Sequence, residues 1–480
     1  MTLNEYDVWY HSRYRRTSSS LTTTILIIFD LLAVMISFGA GFFLVNLYDI
    51  HAINFKSFVN YWPYLPAFIL VFYVTHLYPG TILAPAEELR RFTVGSLMAH
   101  GGIIMSRYIE DKEFDYISVA FIVSFFCSSI ILLIGRSLAR RFLAKTNLGG
   151  IPAVIYGSGS TGRTIADRLL NNRKLGYTPV LILDDDPAVG DSYRDVPIIH
   201  DTGIGPELVE RYNIKMAIVA MPNLQGKKLA RLLNYSVSAF RYNILIPDFF
   251  GVTNIWMSVR DFDGILGLAT SHKLRMPWNL MTKRLMDLSL VVIGGIIILP
   301  LLLAIALLVK ISSPGPVLYG HTRLGRNGKF FKAYKFRSMV MDADKRLAEL
   351  LASDPEIRKE WEASHKLKND PRITRVGKFL RRTSFDEFPQ LINILKGEMS
   401  LVGPRPVVQD EAAKYGEDFN RIFSVLPGLT GLWQVSGRSD TDYAERVSYD
   451  TYYLQSWSVW LDIWVLYKTV GVVLHGKGAY

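Results

Sequence analysis

The sequence predicts an integral-membrane α-helical bundle, then an α/β domain with a parallel sheet, then an α-rich (α+β) domain that opens with a re-entrant membrane helix. Three observations predict it. Apolar runs crowd the first third of the chain and recur once, at Leu288–Val309. Between them, short strand-like runs alternate with helical patterns. After the recurrence the chain turns basic and aromatic-rich. Half of the 480 residues are hydrophobic, more than a soluble chain of this length usually carries. The net charge of +11 suits the flanks of membrane segments, an anionic membrane surface or phosphate-bearing substrates. No nucleic-acid motif is present, and no nucleic-acid partner is expected. Cys127 is the one cysteine and lies in an apolar run, so neither an internal disulfide nor a cysteine-built metal site can form.

Residues 1–20 read as a polar cytoplasmic tail without a cleavable signal pattern. Residues 21–145 hold four candidate spans: Leu21–Leu47, Trp62–Tyr78 with aromatics near its ends, the weaker Phe92–Ser106, and Tyr116–Ile134. Arg13, Arg15 and Arg16 precede the first span, Arg90 and Arg91 separate the second from the third, and Arg136, Arg140, Arg141 and Lys145 follow the fourth. The other loops are acidic or poor in cations, so the positive-inside rule places both ends of the bundle in the cytoplasm. Asp30, the single charge of the first span, and His100, inside the third, are expected in helix–helix contacts or near a helix end rather than in transport.

Residues 150–270 read as a Rossmann-like domain. Ile151–Tyr156 is strand-like and runs into Gly157-Ser-Gly159-Ser-Thr-Gly162 and a helical pattern; Val180–Leu183 is a second strand ending at Asp184, 22 residues beyond Gly162. Met216–Ala220 and Ile244–Ile246 look like further buried strands. The glycines suit a tight strand-to-helix turn and the acid suits a ribose, so Gly157, Gly159, Gly162 and Asp184 are candidate nucleotide-binding residues.

Residues 276–480 form the last domain, with the re-entrant helix at 283–310. Lys283 and Arg284 precede the apolar run and Lys310 follows it, which argues against a simple crossing. Pro300 in its middle removes a backbone hydrogen bond and is expected to bend the helix at Leu299-Pro300. In Lys-Phe-Phe-Lys-Ala-Tyr-Lys-Phe-Arg-Ser-Met (Lys329–Met339), Lys335 and Arg337 are expected on one face of a strand, where they could hold phosphates or lipid head groups. In Arg381-Arg-Thr-Ser-Phe-Asp386-Glu387-Phe-Pro-Gln, Ser384 and Glu387 have capping-box spacing. Two carboxylates beside arginines at a helix start would suit a metal with phosphate, and the dipole and arginines would keep Asp386 ionised. Gly403-Pro-Arg405-Pro406 fixes one arginine between prolines, a preorganised phosphate clamp. Pro427-Gly-Leu-Thr-Gly-Leu-Trp433-Gln-Val-Ser-Gly437-Arg438 ends in another. Trp457, Trp460 and Trp464 mark a helix suited to the membrane interface.

These motifs, in this order, resemble the monotopic phosphoglycosyl transferases, or bacterial sugar transferases, from about Lys283 to Tyr480. The whole architecture resembles the large undecaprenyl-phosphate hexose-1-phosphate transferases, and the Trp-Gln-Val-Ser-Gly-Arg stretch and Gly-Ala-Tyr ending look most like the galactose-transferring members. Small members often carry Ser-Pro where this chain has Leu299-Pro300. The resemblance implies that Asp386 is the nucleophile and binds Mg²⁺, with Glu387 as its partner. It implies that Lys335, Arg337, Arg381, Arg405, Arg438 and, less directly, Asp450 serve substrate binding. UDP-sugar, undecaprenyl phosphate and membrane lipid are the implied partners, on the cytoplasmic face of a bacterial inner membrane. The implied reaction transfers galactose-1-phosphate, with glucose-1-phosphate as the alternative, and initiates O-antigen, capsule or exopolysaccharide assembly. Regulation or dimer assembly is the role expected of the Rossmann-like domain, and a homodimer is expected. A membrane-anchored NAD-dependent nucleotide-sugar oxidoreductase is the reading from another class; against it, no Tyr-x-x-x-Lys pair lies on that domain's helical patterns.

Overall fold

The computed structural model describes residues 3–475 apart from 15–18, 49–54, 79–83, 147–149, 173–175, 225, 247–256, 263–264, 271–272, 354–357, 359–366, 368–369 and 437–441. It folds as two compact units, Met1–Phe250 and Gly251–Tyr480.

The first unit begins with α1 (Leu3–Tyr14) and a membrane bundle: α2 (Ser19–Tyr48), a 3-10 turn (Phe55–Tyr64) leading into α3 (Leu65–Val74), α4 (Pro85–Asp111) and α5 (Tyr116–Thr146). Leu21–Tyr48, Ser57–Val74 and Tyr116–Leu143 are long and apolar enough to cross a membrane. The weaker run Phe92–Ser106 lies inside α4, which falls short of that measure. Phenylalanines fill the bundle core, with Phe38, Phe68 and Phe121 packed edge-on around His100. Gly41 lets α2 and α5 touch, since a Cβ there would run into the Ala120–Ser124 turn. Asp30 is buried against Arg136 (Oδ2–Nη2 2.7 Å) and accepts from the Tyr78 hydroxyl at 2.8 Å, while Arg136 also binds Glu88 at 3.0 Å. His100 Nδ1 meets the Ser96 carbonyl at 2.8 Å. Both polar residues therefore sit in helix–helix contacts.

The same unit holds a six-stranded sheet, ordered β3-β4-β2-β1-β5-β6. Its strands are β1 (Ile151–Tyr156), β2 (Tyr177–Leu183), β3 (Ser192–Tyr193), β4 (Val196–Ile199), β5 (Met216–Val219) and β6 (Tyr242–Leu245), with helices α6 (Ser160–Asn171), α7 (Gly205–Tyr212) and α8 (Gly226–Tyr235) among them. All pair in parallel except β3 with β4, and β1 is buried along its whole length, as a central strand covered on both faces requires. Gly157 has φ 103°, and a Cβ on Gly162 would collide with the Gly157 carbonyl, so this turn needs both glycines. Two boundaries differ from expectation. Residues 3–14 are no loose tail: Tyr6 and Tyr10 are buried in the sheet's core beside Tyr212. Tyr6, Trp9 and Tyr10 have helical spacing, and packing rather than propensity orders them. The sheet also ends at Leu245, well short of residue 270, because Met257–Phe262 (β7) and Ile265–Thr270 (β8) pair as a separate hairpin.

In the second unit, α9 runs from Pro277 to Ser312 without interruption at Pro300, so the break expected at Leu299-Pro300 does not end the helix. Both of its ends pack on the domain that follows. Lys283 Nζ lies 2.7 Å from Asp462 Oδ2, and Asp287 accepts from Ser400 Oγ at 2.6 Å. Some 20 residues on, Ile305 and Val309 share a cluster with Phe336 and Leu380. The middle is bare: Ile293, Ile296, Ile297 and Leu303 are 61–73% exposed. The hairpin of β9 (Leu318–Leu324) and β10 (Phe330–Phe336) comes next, followed by α10 (Ala343–Ser353), α11 (Arg375–Thr383), α12 (Leu391–Lys396) and the two-stranded pair of β11 (Ser400–Val402) with β12 (Gly428–Thr430). Two longer helices close the chain, α13 (Tyr443–Ser456) and α14 (Val459–His475).

Candidate active site

The Asp386-Glu387 pair sits on a 3-10 turn, Phe385–Gln390, between α11 and α12. Ser384 makes the turn possible in a way its capping-box spacing did not foretell. It adopts a left-handed conformation (φ 59°), closes α11 with its backbone N–H, and caps nothing with its side chain. The chain thus reverses just before the two acids. Lys335, near the end of β10, faces both: Nζ lies 2.6 Å from Glu387 Oε1 and 3.6 Å from Asp386 Oδ2.

The acids are held unequally. Burial pushes the Asp386 carboxyl above the usual carboxylate range; Lys335 pulls it down and Glu387's charge pushes it up again. Burial also works to raise Glu387, but Lys335, Arg405 and Arg323 outweigh it and hold that carboxyl low. The arginine expected to help keep Asp386 ionised, Arg381, does pull its carboxyl down, but less than burial pushes it up, and the closest cation, Lys335, bonds Glu387 more tightly.

The other expected site residues divide. Arg381 gives its Nε to Ser338 Oγ at 2.9 Å and lies within electrostatic reach of Asp386. Gly377 allows this, since a Cβ there would strike the Ser338 carbonyl. Arg382 is exposed. Arg405 lies within electrostatic reach of Glu387. Its loop is pinned by Gly403 N–H to Thr430 O (2.9 Å) and Gly428 N–H to Pro404 O (2.8 Å), and a Cβ on Gly428 would strike Gly403. Arg337 does not share Lys335's face. β10 ends at Phe336, and the buried Arg337 guanidinium bonds Ser313 O at 2.7 Å and Ser313 Oγ at 2.9 Å, bracing the end of α9. Asp450 is buried on α13, and among the described residues only the Tyr415 hydroxyl comes near its carboxylate, without a well-formed hydrogen bond. Burial pushes its pKa up to about 8, which the nearby Tyr415 hydroxyl eases only in part. Arg438, Gly437 and the Gly-Ala-Tyr ending lie outside the described residues.

Three polar residues of β9 had no place among the residues expected from sequence. In the antiparallel register Lys335 opposes Tyr319, Ala333 opposes His321 and Phe331 opposes Arg323, so Tyr319, His321, Arg323 and Lys335 share one face. Arg323 reaches Glu387 and Arg405 electrostatically. Burial, then Arg323, press His321 toward its neutral form. The signal was the alternation Tyr319-x-His321-x-Arg323, legible only once β9 is paired with β10.

In the first unit, Gly157, Gly159 and Gly162 form the turn into α6 (Ser160–Asn171), but Asp184 folds back to accept from Ser158 N–H at 2.6 Å and Asp186 N–H at 3.1 Å. The acid expected to meet a ribose is bound to its own glycine loop.

Residues 278–476 match the family described as bacterial sugar transferase, and residues 75–240 match one described as CoA-binding domain. Over 348 residues the chain is 40% identical to undecaprenyl-phosphate galactose phosphotransferase of Salmonella typhimurium, with 72% of each chain covered. It is 33% identical over 344 residues to UDP-glucose:undecaprenyl-phosphate glucose-1-phosphate transferase of Escherichia coli, covering 68% of each. The exopolysaccharide production protein ExoY of Rhizobium meliloti is 48% identical over 200 residues, which are 42% of this chain and 88% of ExoY. The chain belongs to the bacterial sugar transferase family.

Proposed function

We propose that this protein transfers a hexose-1-phosphate, galactose-1-phosphate first, from a UDP-sugar to undecaprenyl phosphate, and so starts a surface-polysaccharide repeat unit. The observation that carries the mechanism is the dyad, buried at Asp386 and half-buried at Glu387, in which Lys335 bonds Glu387 and leaves Asp386 the less neutralised oxygen pair. Asp386 attacks the β-phosphorus; an Oδ–P bond forms, the P–O bond to the bridging oxygen breaks, and UMP leaves with that oxygen and its electron pair. A phosphate oxygen of undecaprenyl phosphate then attacks the same phosphorus and returns Asp386 to its carboxylate. The covalent stage lets one small site serve a soluble donor and a lipid acceptor in turn. Galactose leads because the galactose-named relative shares more identity than the glucose-named one.

Mg²⁺ fits the donor set. It keeps several waters and takes one or two carboxylates with substrate phosphates, and Asp386 beside Glu387 offers that many. When bound, it would neutralise phosphate oxygens and the departing UMP. Lys335 holds Glu387 in place, and Arg381 and Arg405 add positive charge around the phosphates.

The membrane topology belongs to the same proposal. A crossing α9 would carry its two ends to opposite sides, yet Lys283 and Val309 pack on one domain with the bare apolar middle between them. That supports a helix entering and leaving by the cytoplasmic face, where UDP-sugars are found. Trapping tests the chemistry. With UDP-galactose labelled at the β-phosphate and no lipid acceptor, the protein should keep label on Asp386 and release one UMP for each phosphosugar retained. Asp386→Asn should lose several orders of magnitude in turnover and retain no label. Label on Glu387 would reverse the roles, and UMP release only in the presence of lipid would replace the covalent step by direct transfer.

A further inference from the structure

Resting on the donor reading above, we propose that Arg323 binds the pyrophosphate of the nucleotide-sugar, paired with Arg405 as a two-guanidinium anion seat beside the dyad. The backbone brings the two together. Leu324 N–H donates to Val407 O at 2.8 Å, tying the end of β9 to the Pro-Arg-Pro turn. Strand register then turns Arg323 to the same face as Lys335. Its guanidinium is loosely held there: among the described residues its acceptors are Pro406 O at 3.5 Å and Glu411 Oε2 at 3.9 Å, and the side chain is 20% exposed. A buried arginine serving only as a brace makes short bonds, as Arg337 does to Ser313 at 2.7 Å. Arg405 acts on both Glu387 and Arg323 through its charge, which places its guanidinium beside them.

Two like charges so placed repel. After burial, Arg405 is the largest influence against the charged form of Arg323. The carboxylate they face, Glu387, is already bonded to Lys335 at 2.6 Å. An anion with several oxygens would relieve the repulsion and take both planar forks, which arginine suits better than lysine. Glu411, 40% exposed at its side chain, is the weak partner that such an anion would displace. The seat lies beyond the dyad on the Arg405 side, where the departing nucleotide's phosphate would rest while Asp386 holds the sugar phosphate.

The full-length wild type, R323Q and R323K would be assayed for UMP release against UDP-galactose and undecaprenyl phosphate, with inorganic pyrophosphate as a competing probe. In R323Q the donor KM should rise roughly 10- to 100-fold, the range for losing a hydrogen bond to a charged group. Pyrophosphate should lose potency by a similar factor, with the lipid KM and the unliganded unfolding temperature unmoved. R323K should recover part of the loss, keeping the charge without the fork. Unchanged donor KM and pyrophosphate potency would overturn the proposal. So would equal damage to both KM values with a lower unfolding temperature, which marks a mere brace to Pro406. If the wild type releases no UMP from any UDP-sugar, the donor reading fails. The seat is then judged alone, by whether pyrophosphate raises the unfolding temperature of the wild type and not of R323Q.

Discussion

Asp386 and Glu387 are neighbours of the same chemistry, and their surroundings push them apart. Burial and Glu387's charge let Asp386 hold its proton to higher pH than an ordinary carboxyl, so the acid limb of kcat/KM should lie above the usual range of about 4. Glu387→Gln removes a charge that raises Asp386 and frees Lys335 to turn toward it. Both effects lower the Asp386 pKa, so the limb should move to lower pH even as turnover falls. A limb that stays put in the pH profile of UMP release would show that Glu387's charge is not what raises its neighbour. Asp450 gives a second pH prediction, for stability. Its folded value, about 8, stands above the unfolded value near 4, so its neutral form belongs to the fold. Stability is then complete below about 4 and falls as pH rises toward about 8. Asp450→Asn should flatten that fall, measured as the difference in unfolding temperature between pH 5 and pH 8. An unaltered slope would mean that Asp450 is charged at neutral pH in the fold.

Among elements, the join between α9 and α14 is built on buried polar groups. Asp462 accepts from Lys283 at 2.7 Å, from the Tyr453 hydroxyl at 2.7 Å and from Trp457 Nε1 at 3.1 Å, all out of water. Removing one partner strands a charge, so Lys283→Met should cost about 3–5 kcal/mol. Combining Lys283→Met with Asp462→Asn should restore part of it, because a neutral amide in place of the Asp462 carboxylate needs no counter-charge. Equal losses for single and double variants, read from denaturation in detergent, would show that the pair is not what locks the helix. Lys283 was legible only as a basic flank of an apolar run; its partner lies 179 residues away, and no local pattern announces it. Arg337 misled for a related reason. Alternation extrapolates one residue past the end of β10, where the chain has already left the strand to brace Ser313. Apolar spans and central strands were legible because their periods and lengths are set by membrane and sheet geometry alone.

At the scale of the molecule, the order of parts was readable and the seams were not. The turn into α6 and the sheet strands fell where glycines and apolar runs put them, whereas the docking of Tyr6 and Tyr10 depends on a core built almost 150 residues later. Every described residue given a chemical role lies in the second compact unit, Gly251–Tyr480. The family match to the sugar transferases covers residues 278–476, and a relative in Rhizobium meliloti is 88% accounted for by the corresponding 42% of this chain. The unit also carries its own apolar helix, Pro277–Ser312, whose two ends bond within the same domain. A chain beginning near Pro277 should therefore fold in detergent or membranes and release UMP from UDP-galactose. Its donor KM should lie within a few-fold of the full chain's, because Lys335, Asp386, Glu387 and Arg405 keep their neighbours. What the first unit adds would then appear elsewhere, in the amount of protein held in the membrane or in oligomeric state. A truncated chain that keeps its helical circular dichroism and unfolds cooperatively, yet releases no UMP, would assign the first unit a direct part in the chemistry.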